Sequence, residues 1–345
     1  MPDKLNRRKV TIKDIAKEAG ISPGAVSQIL NNKPCRISEE NKQRVKEIAA
    51  KHRYVVNQTA RALVTQRSYT IGLILPDIQN TFFAQLARVL EQVCRERGYF
   101  LMFANSDDVF ENDCKLLSSF ESRGVDGIFL IRSNESYQYE DELSRRLQKM
   151  SVPYVMVDRP FFGFACDHVC FNNRLGGYQA TKYLLSKGHR DIACIYLDDG
   201  RGNGANRLAG YLDALHEQGI EPPKDYLIPG DNRVQGGYNA VEQVLSCGAT
   251  AVLVCNDMMT LGFLRGLRER KYKVPDDISV VSYDNSLREF LLDMSLTTVT
   301  MDLELLAQRA AEVMIGRIEG KRIRAQEIYL EPVLVVGSSV ERKKD

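Results

Sequence analysis

At 345 residues, 44% hydrophobic and 27% charged, the sequence is too long for one typical domain and apolar enough for two or three packed units. No apolar run approaches the roughly 18 residues of a membrane span, "MPDKLNRRKV" has no apolar stretch behind its basic residues, and eight dispersed cysteines fit reduced thiols, so a cytoplasmic protein with no membrane segment is expected. The net charge of +2 is unevenly divided: residues 1–68 hold 15 Lys+Arg against 6 Asp+Glu, or +9, and the remainder is −7, the footprint of a polyanion-binding head on an acidic body.

The first predicted helix starts at Thr11, which caps it together with Asp14, and Ile12, Ile15, Ala16 and Ala19 recur at helical spacing until Gly20 ends it. Ser22 caps a second, with Pro23 at its first position and Ala25, Val26, Ile29 and Leu30 along one face. A third begins at Ser38 and buries Val45, Ile48 and Ala49. Three short helices, the first two joined through a tight glycine turn, make a helix-turn-helix whose second helix enters the major groove. Its exposed early part carries Ser22, Ala25, Ser27 and Gln28; Gln pairs bidentately with adenine and an alanine methyl meets thymine. Asn31 and Asn32 close the helix or touch phosphate. Pro23 and Gly24 read no bases, so DNA shape carries a large share of the expected specificity.

"TIKDIAKEAGISPGAVSQILNN", then "YVVNQTARAL", then "IGLILPDIQNTFF" resemble the headpiece, hinge and first core strand of the LacI/GalR family of bacterial transcription regulators, and the likeness continues through nearly the whole chain. The resemblance implies a hinge helix over 57–64 that orders on operator DNA, with Leu63 wedged into the minor groove. It adds Thr11, Asn57, Ala60 and Arg61 to the expected DNA contacts. The expected domains are a headpiece over 1–56, a hinge and linker over 57–68, and an effector-binding, dimerising core over 69–345.

From Thr70 short apolar strands alternate with amphipathic helices: "TIGLILP", "FLMFANS", "GIFLI" and "PYVMVD" with three helices between them, then the same rhythm from "GGYQATKYLLSKGHRDIACIYL" onward. Two successive parallel α/β units with a cleft between their strand ends are predicted. The resemblance implies a periplasmic-binding-protein-like core whose chain crosses between lobes near Cys170, Thr298 and Tyr329, giving an N-lobe of about 69–170 and 299–328 and a C-lobe of about 171–298 and 329–345.

Two motifs raise other chemistries. "GRGNGA", after the strand "IACIYL", fits a dinucleotide fingerprint, but His52, His168, His189 and His216 are scattered and no nucleophile–base pair assembles, so no enzyme and no cofactor are expected. If "CDHVC" is a strand, as the resemblance implies, Cys166, His168 and Cys170 share one face, but a structural zinc needs a fourth ligand and no second cysteine pair with ligand spacing lies near in sequence, so no metal is expected.

The resemblance assigns effector contacts to Phe82, Phe83, Asp107, Asp158, Arg207, Asn256 and Asp284, with Asn172 and Arg201 nearby. Carboxylates and a guanidinium spanning vicinal hydroxyls, with an aromatic face against C–H bonds, suit a sugar. Asn172, Asn232, Met301 and Gly337 depart from the family's usual residues, the first three lining or approaching the cleft. The expected protein is a homodimeric, cytoplasmic, nucleoid-associated repressor binding palindromic operator DNA under control of a carbohydrate effector. A phosphosugar or nucleobase corepressor is the alternative, and a cytoplasmic solute-binding protein or nicotinamide-dependent enzyme the distant one. Nine residues after the last predicted strand leave no room for a tetramerising heptad helix.

Overall fold

The computed structural model describes residues 10–31, 34–55, 67–198, 200–290, 293–321 and 324–343. The chain divides into two compact units, residues 1–68 and 69–345.

In the first unit, helix α1 (Ile12–Ala19) opens on a reciprocal cap: Thr11 Oγ1 accepts from the Asp14 amide, and Asp14 Oδ2 accepts from the Thr11 amide at 2.9 Å. Gly20 ends the helix at φ 72°, left-handed backbone that costs a glycine little. Helix α2 (Pro23–Leu30) takes Ser22 as its N-cap and α3 (Glu39–Lys51) takes Ser38. Their apolar stripes meet in one small core of Ile15, Ala16, Ala19, Val26, Ile29, Val45 and Ile48. Glu18 of α1 adds a polar strap, receiving Lys51 Nζ at 2.7 Å and lying 2.6 Å from His52 Nε2.

The second unit is two sheets, each parallel except at one edge or throughout. The N-lobe builds β1 (Thr70–Leu75), α4 (Thr81–Glu96), β2 (Phe100–Asn105), α5 (Phe110–Ser122), β3 (Gly127–Leu130), α6 (Glu140–Leu147), β4 (Tyr154–Val157) and β5 (His168–Phe171). The C-lobe follows with α7 (Asn173–Ser186), β6 (Ile192–Leu197), α8 (Asn203–His216), β7 (Leu227–Gly230), α9 (Val234–Asn239), α10 (Val241–Ser246), β8 (Ala251–Val254), α11 (Asp257–Glu269), β9 (Ser279–Asp284) and β10 (Thr297–Thr300). The chain returns to the N-lobe for α12 (Leu303–Ile318) and β11 (Glu327–Leu330), then ends the C-lobe sheet with β12 (Val333–Val335). Strand orders are β11-β5-β4-β3-β1-β2 and β12-β10-β9-β8-β6-β7, with only the β10–β12 pair antiparallel. Strands such as Leu73–Leu75 and Ala251–Val254 are wholly buried because helices cover both sheet faces.

Strand β10, through Thr300, pairs with β9 of the C-lobe, and β11, through Leu330, pairs with β5 of the N-lobe. The crossings therefore come at the strand ends, where the backbone is released from its ladder. The strand expected over Cys166–Cys170 begins only at His168. Cys166, His168 and Cys170 are buried, and the His168 ring lies edge-on to Tyr329 at 5.0 Å. Among the described residues no cluster of His, Cys, Asp or Glu is arranged to hold a metal, and no helix is long and apolar enough to cross a membrane.

Helices α7 and α8 cross backbone against backbone. A Cβ on Gly177 would stand 2.0 Å from the Arg207 carbonyl oxygen, and one on Gly210 would stand 1.9 Å from that of Arg174. Gly210→Ala should force the helices apart and, as an overpacking change, cost about 1–3 kcal/mol. Thermal unfolding checks this: a melting temperature within a degree of the parent's would show that the contact is not tight.

Candidate functional site

The headpiece presents the start of α2 to solvent. Ser22 and Gln28 are exposed and Ala25 and Ser27 half-buried. Asn31 folds back, its Nδ2 donating to the Ser27 carbonyl at 2.7 Å, and so closes the helix. Thr11 is exposed, with its hydroxyl donating to Asp14 at 2.7 Å. Lys13, Lys17, Arg36, Arg44, Lys46 and Arg53 are exposed on the same unit, while Lys42 binds Glu39 and Lys51 binds Glu18. That leaves exposed cations on the unit that carries α2, suited to phosphates.

In the core, polar side chains converge from the C-terminal ends of parallel strands, where open α/β sheets place their ligand crevices. From the N-lobe come Asn80, Phe82 and Phe83 after β1, Asn134 after β3, and Asp158 and Arg159 after β4; from the C-lobe come Asn203 and Arg207 after β6, Asn232 after β7, Asn256 after β8 and Asp284 at the end of β9. Together they enclose a cavity of about 30 Å³, room for little more than ordered water. An outer recess of about 580 Å³, lined by Asn134, Tyr137, Leu197 and Arg201 among others, adjoins it at Asn134.

Arg207 is the centre of this set. Its Nε donates to Asn173 Oδ1 at 2.8 Å, its Nη1 to the Cys255 carbonyl, its Nη2 stands 3.3 Å from Asp284 Oδ1, and its guanidinium stacks 3.8 Å over the Tyr283 ring. Across the cleft Arg159 donates to Asp108 Oδ1 at 2.8 Å and to the Arg132 carbonyl at 2.7 Å, with its guanidinium 5.3 Å from the Phe83 ring. Asn203 Nδ2 reaches from the C-lobe to Asp158 Oδ2 at 3.2 Å. Burial pushes Asp158 up to about 6, against the pull of Arg159 and Arg207. Burial likewise raises Asp284, opposed chiefly by Arg207. Asp257, beside the site, is raised to about 7 by burial and then by Asp284.

Residues 11–57 match the bacterial regulatory proteins of the lacI family, and residues 181–340 match a periplasmic binding protein-like domain. The HTH-type transcriptional repressor PurR of Erwinia tasmaniensis is 34% identical over 334 residues, 96% of each chain. The chain belongs to the LacI family. The ribose operon repressor of Escherichia coli is also similar, 33% identical over 94% of this chain and 98% of its own. A LacI family transcriptional regulator from Enterococcus faecium with bound ribose has the same fold at a TM-score of 0.70 and 30% identity, covering 80% of this chain and 100% of that one. As a LacI-family protein, the chain is a sequence-specific DNA-binding transcription regulator controlled by a small-molecule effector.

Within that frame, Phe82, Phe83, Asp158, Arg207, Asn256 and Asp284 all line the inner cavity. Arg201 does not: it is exposed and lines the outer recess. Asp107 is a correction, since it is exposed and takes the Asn105 amide at 2.5 Å. Asp107 and Asp108 both adopt positive φ, 56° and 60°, and this turn swings the second carboxylate inward, to Arg159 and Asn134. Asn172 is another: it is the exposed N-cap of α7, accepting from the Leu175 amide at 3.1 Å, and the buried Asn173 beside it holds Arg207. Met301 is buried in the hydrophobic core, and of the three residues expected to line or approach the cleft Asn232 lines the inner cavity. Gly337 packs against the chain at 295–296, where a Cβ would lie 2.4 Å from the Ser295 carbonyl. Asn57, Ala60, Arg61 and Leu63 lie outside the described residues. Asn80, Asn134 and Arg159 were not anticipated, the available signal being a polar residue within a few positions of each strand end; Asn203 and Gly204 fall in the loop "RGNGANRLAGY", which the resemblance matches to the family's effector loop.

Asp158 binds its proton more tightly in the folded core, at about 6 against an ordinary 3.8. Its contribution to stability is therefore full below about pH 4 and lost as pH rises through about 6, a span of up to about 3 kcal/mol. Asp158→Asn removes the titrating group and keeps the shape. The melting temperature of the variant, relative to the parent, should rise as pH goes from 4 to 7; parallel curves would show that Asp158 titrates normally.

Proposed function

We propose that this protein is a homodimeric repressor whose effector is a small neutral sugar, bound between the lobes and read by Arg207, Asp284, Asp158 and Asn256 with a phenylalanine ring at its face. The observation that carries this is the pairing of the site's cations. Arg207 and Arg159 are each already matched to a carboxylate, and Asp158 and Asp284 both line the cavity. A phosphate placed there meets two acids and no spare cation, whereas hydroxyls can both donate to the carboxylates and accept from the guanidinium and amides. The similarity to the ribose operon repressor and to a regulator with ribose bound supports a sugar, and the donor set favours it. A monosaccharide exceeds a 30 Å³ cavity, so the lobes part to admit it, and the effector acts through its unequal affinity for the two arrangements. Compartment follows from partner: operator DNA places the protein in the cytoplasm, on the nucleoid.

Two-fold operator symmetry calls for two headpieces. The N-lobe supplies a surface for a second copy, because β2 is the edge strand of its sheet and exposes Phe100 and Phe103 at 66% and 58%.

The headpiece and core are separate compact units, so deletion of residues 1–68 should abolish binding to a selected palindrome while leaving the core's melting temperature unchanged. Full-length binding should weaken steeply with salt; a flat salt dependence, or equal affinity for palindromic and scrambled duplexes, refutes the reading. For the effector, thermal-shift screening of pentoses, hexoses, their phosphates and purine bases should show stabilisation by a neutral sugar, about 2.7 kcal/mol at a hundredfold excess over Kd. Stabilisation by a sugar phosphate or purine base instead would overturn the neutral-sugar assignment. Asp284→Asn should weaken that sugar's binding about tenfold or more, the loss expected for a charge-assisted hydrogen bond.

A further inference from the structure

Apart from the cavity, the lobes meet at a second place. Thr81, the first residue of α4 in the N-lobe, holds its Oγ1 2.6 Å from Ser286 Oγ of the C-lobe. One turn further along α4, Gln85 Nε2 donates to the Ser286 carbonyl at 3.1 Å. Ser286 is buried, two residues beyond Asp284, on a turn whose residues Asp284 and Asn285 have φ of 97° and 59°. Such backbone is costly for non-glycine residues and persists only where neighbours hold it.

Asp257 holds it. Its Oδ2 accepts from the Ser286 amide at 2.5 Å, the Ser286 hydroxyl at 2.8 Å and the Leu287 amide at 3.1 Å, and its Oδ1 accepts from Ser282 Oγ at 2.5 Å. With three donors already on Oδ2, any proton on this acid sits on Oδ1. The Ser286 hydroxyl is thereby committed as a donor to Asp257, which leaves its lone pair facing Thr81 and fixes Thr81 as the donor of the bond between lobes.

We propose that Thr81, Gln85 and Ser286 form a latch that holds the lobes closed independently of effector, and that Asp257 is the positioning residue that presents Ser286 to it. None of Thr81, Gln85 and Ser286 lines the inner cavity. The latched arrangement leaves about 30 Å³, too little for a sugar. The latch therefore opposes the effector: only the unlatched fraction binds, and the apparent Kd is the intrinsic one divided by that fraction. This consequence for the effector rests on the function proposed above; the latch itself does not.

The test uses the full-length protein and two near-isosteric variants, Thr81→Val and Ser286→Ala, with their double. Without effector or DNA, amide hydrogen exchange of segments 80–86 and 284–290 should quicken about two- to tenfold in each variant, as loss of one hydrogen bond predicts, while β1 and β8 keep the parent's protection. The double variant should fall short of the sum of the singles, because the Thr81–Ser286 bond they share is lost once, while Ser286→Ala also gives up the bond to Asp257 and Thr81→Val the contact with Met258 Sδ at 3.8 Å. Exchange at the parent's rate, or doubling of the effect in the double variant, overturns the latch; Gln85→Leu, which leaves the hydroxyl pair intact, gives a second reading of the same opening. With D-ribose as probe, the variants should be half-saturated at a lower concentration than the parent by the same factor. An unchanged or higher midpoint overturns the opposition between latch and effector. If neither parent nor variants bind D-ribose or any other neutral sugar, the effector assignment falls, and the exchange measurement still decides the latch.

Discussion

The core is organised around one buried cation. Arg207 is largely withdrawn from water, and its charge is held by Asp284, Asn173, the Cys255 carbonyl and the face of Tyr283 around it. Those partners lie on β9, α7 and the end of β8, so one guanidinium fastens four elements of the C-lobe at the edge of the cleft. The close crossing of α7 and α8 through Gly177 and Gly210 brings Asn173 within reach of it. Removing either member of the Arg207–Asp284 pair leaves the other charge buried alone, which typically costs about 3–5 kcal/mol. Alanine substitution here tests the fold as much as the ligand; Asp284→Asn keeps the shape but also leaves the Arg207 charge without its carboxylate, so its melting temperature is read beside its sugar affinity.

Strand ends explain why a regulator and a binding pocket share this scaffold. Parallel strands deliver side chains to one rim of each sheet, and the two rims face each other because the chain passes between lobes at the ends of β5, β10 and β11. The ligand-facing groups then belong to both rigid bodies. Any occupant that prefers one spacing of the rims biases their relative position, and the amplification needs no further machinery.

Much of this was legible in the chain. Thr11, Ser22, Ser38 and Gly20 announced the headpiece helices because capping chemistry is local. Apolar runs marked most core strands for the same reason. Strand β7 was not foreseen: it carries Pro229 at the sheet's edge, where a missing N–H is tolerated but a strand signal is weak. After β7 the helical stretch breaks near Ala240 into α9 and α10. Two of the expected contacts stand one residue from a polar neighbour that turns inward: Asp107 beside Asp108, which meets Arg159, and Asn172 beside Asn173, which holds Arg207. Which of two adjacent polar groups turns inward is set by a left-handed turn in one case and by the boundary between N-cap and first helical residue in the other. Neither leaves a periodicity to read.

The interleaved lobes also fix the order in which a ribosome can finish the molecule. The headpiece, complete within its own short stretch, leaves the exit tunnel while most of the core is unmade. The N-lobe sheet must wait for β11, and the C-lobe sheet for β12, before either edge is paired. A nascent chain thus passes through a long interval in which it carries a finished DNA-reading surface without the core that would pair it with a second. Lone headpieces grip only half of a palindrome. A chain broken off before the late strands closes neither core sheet.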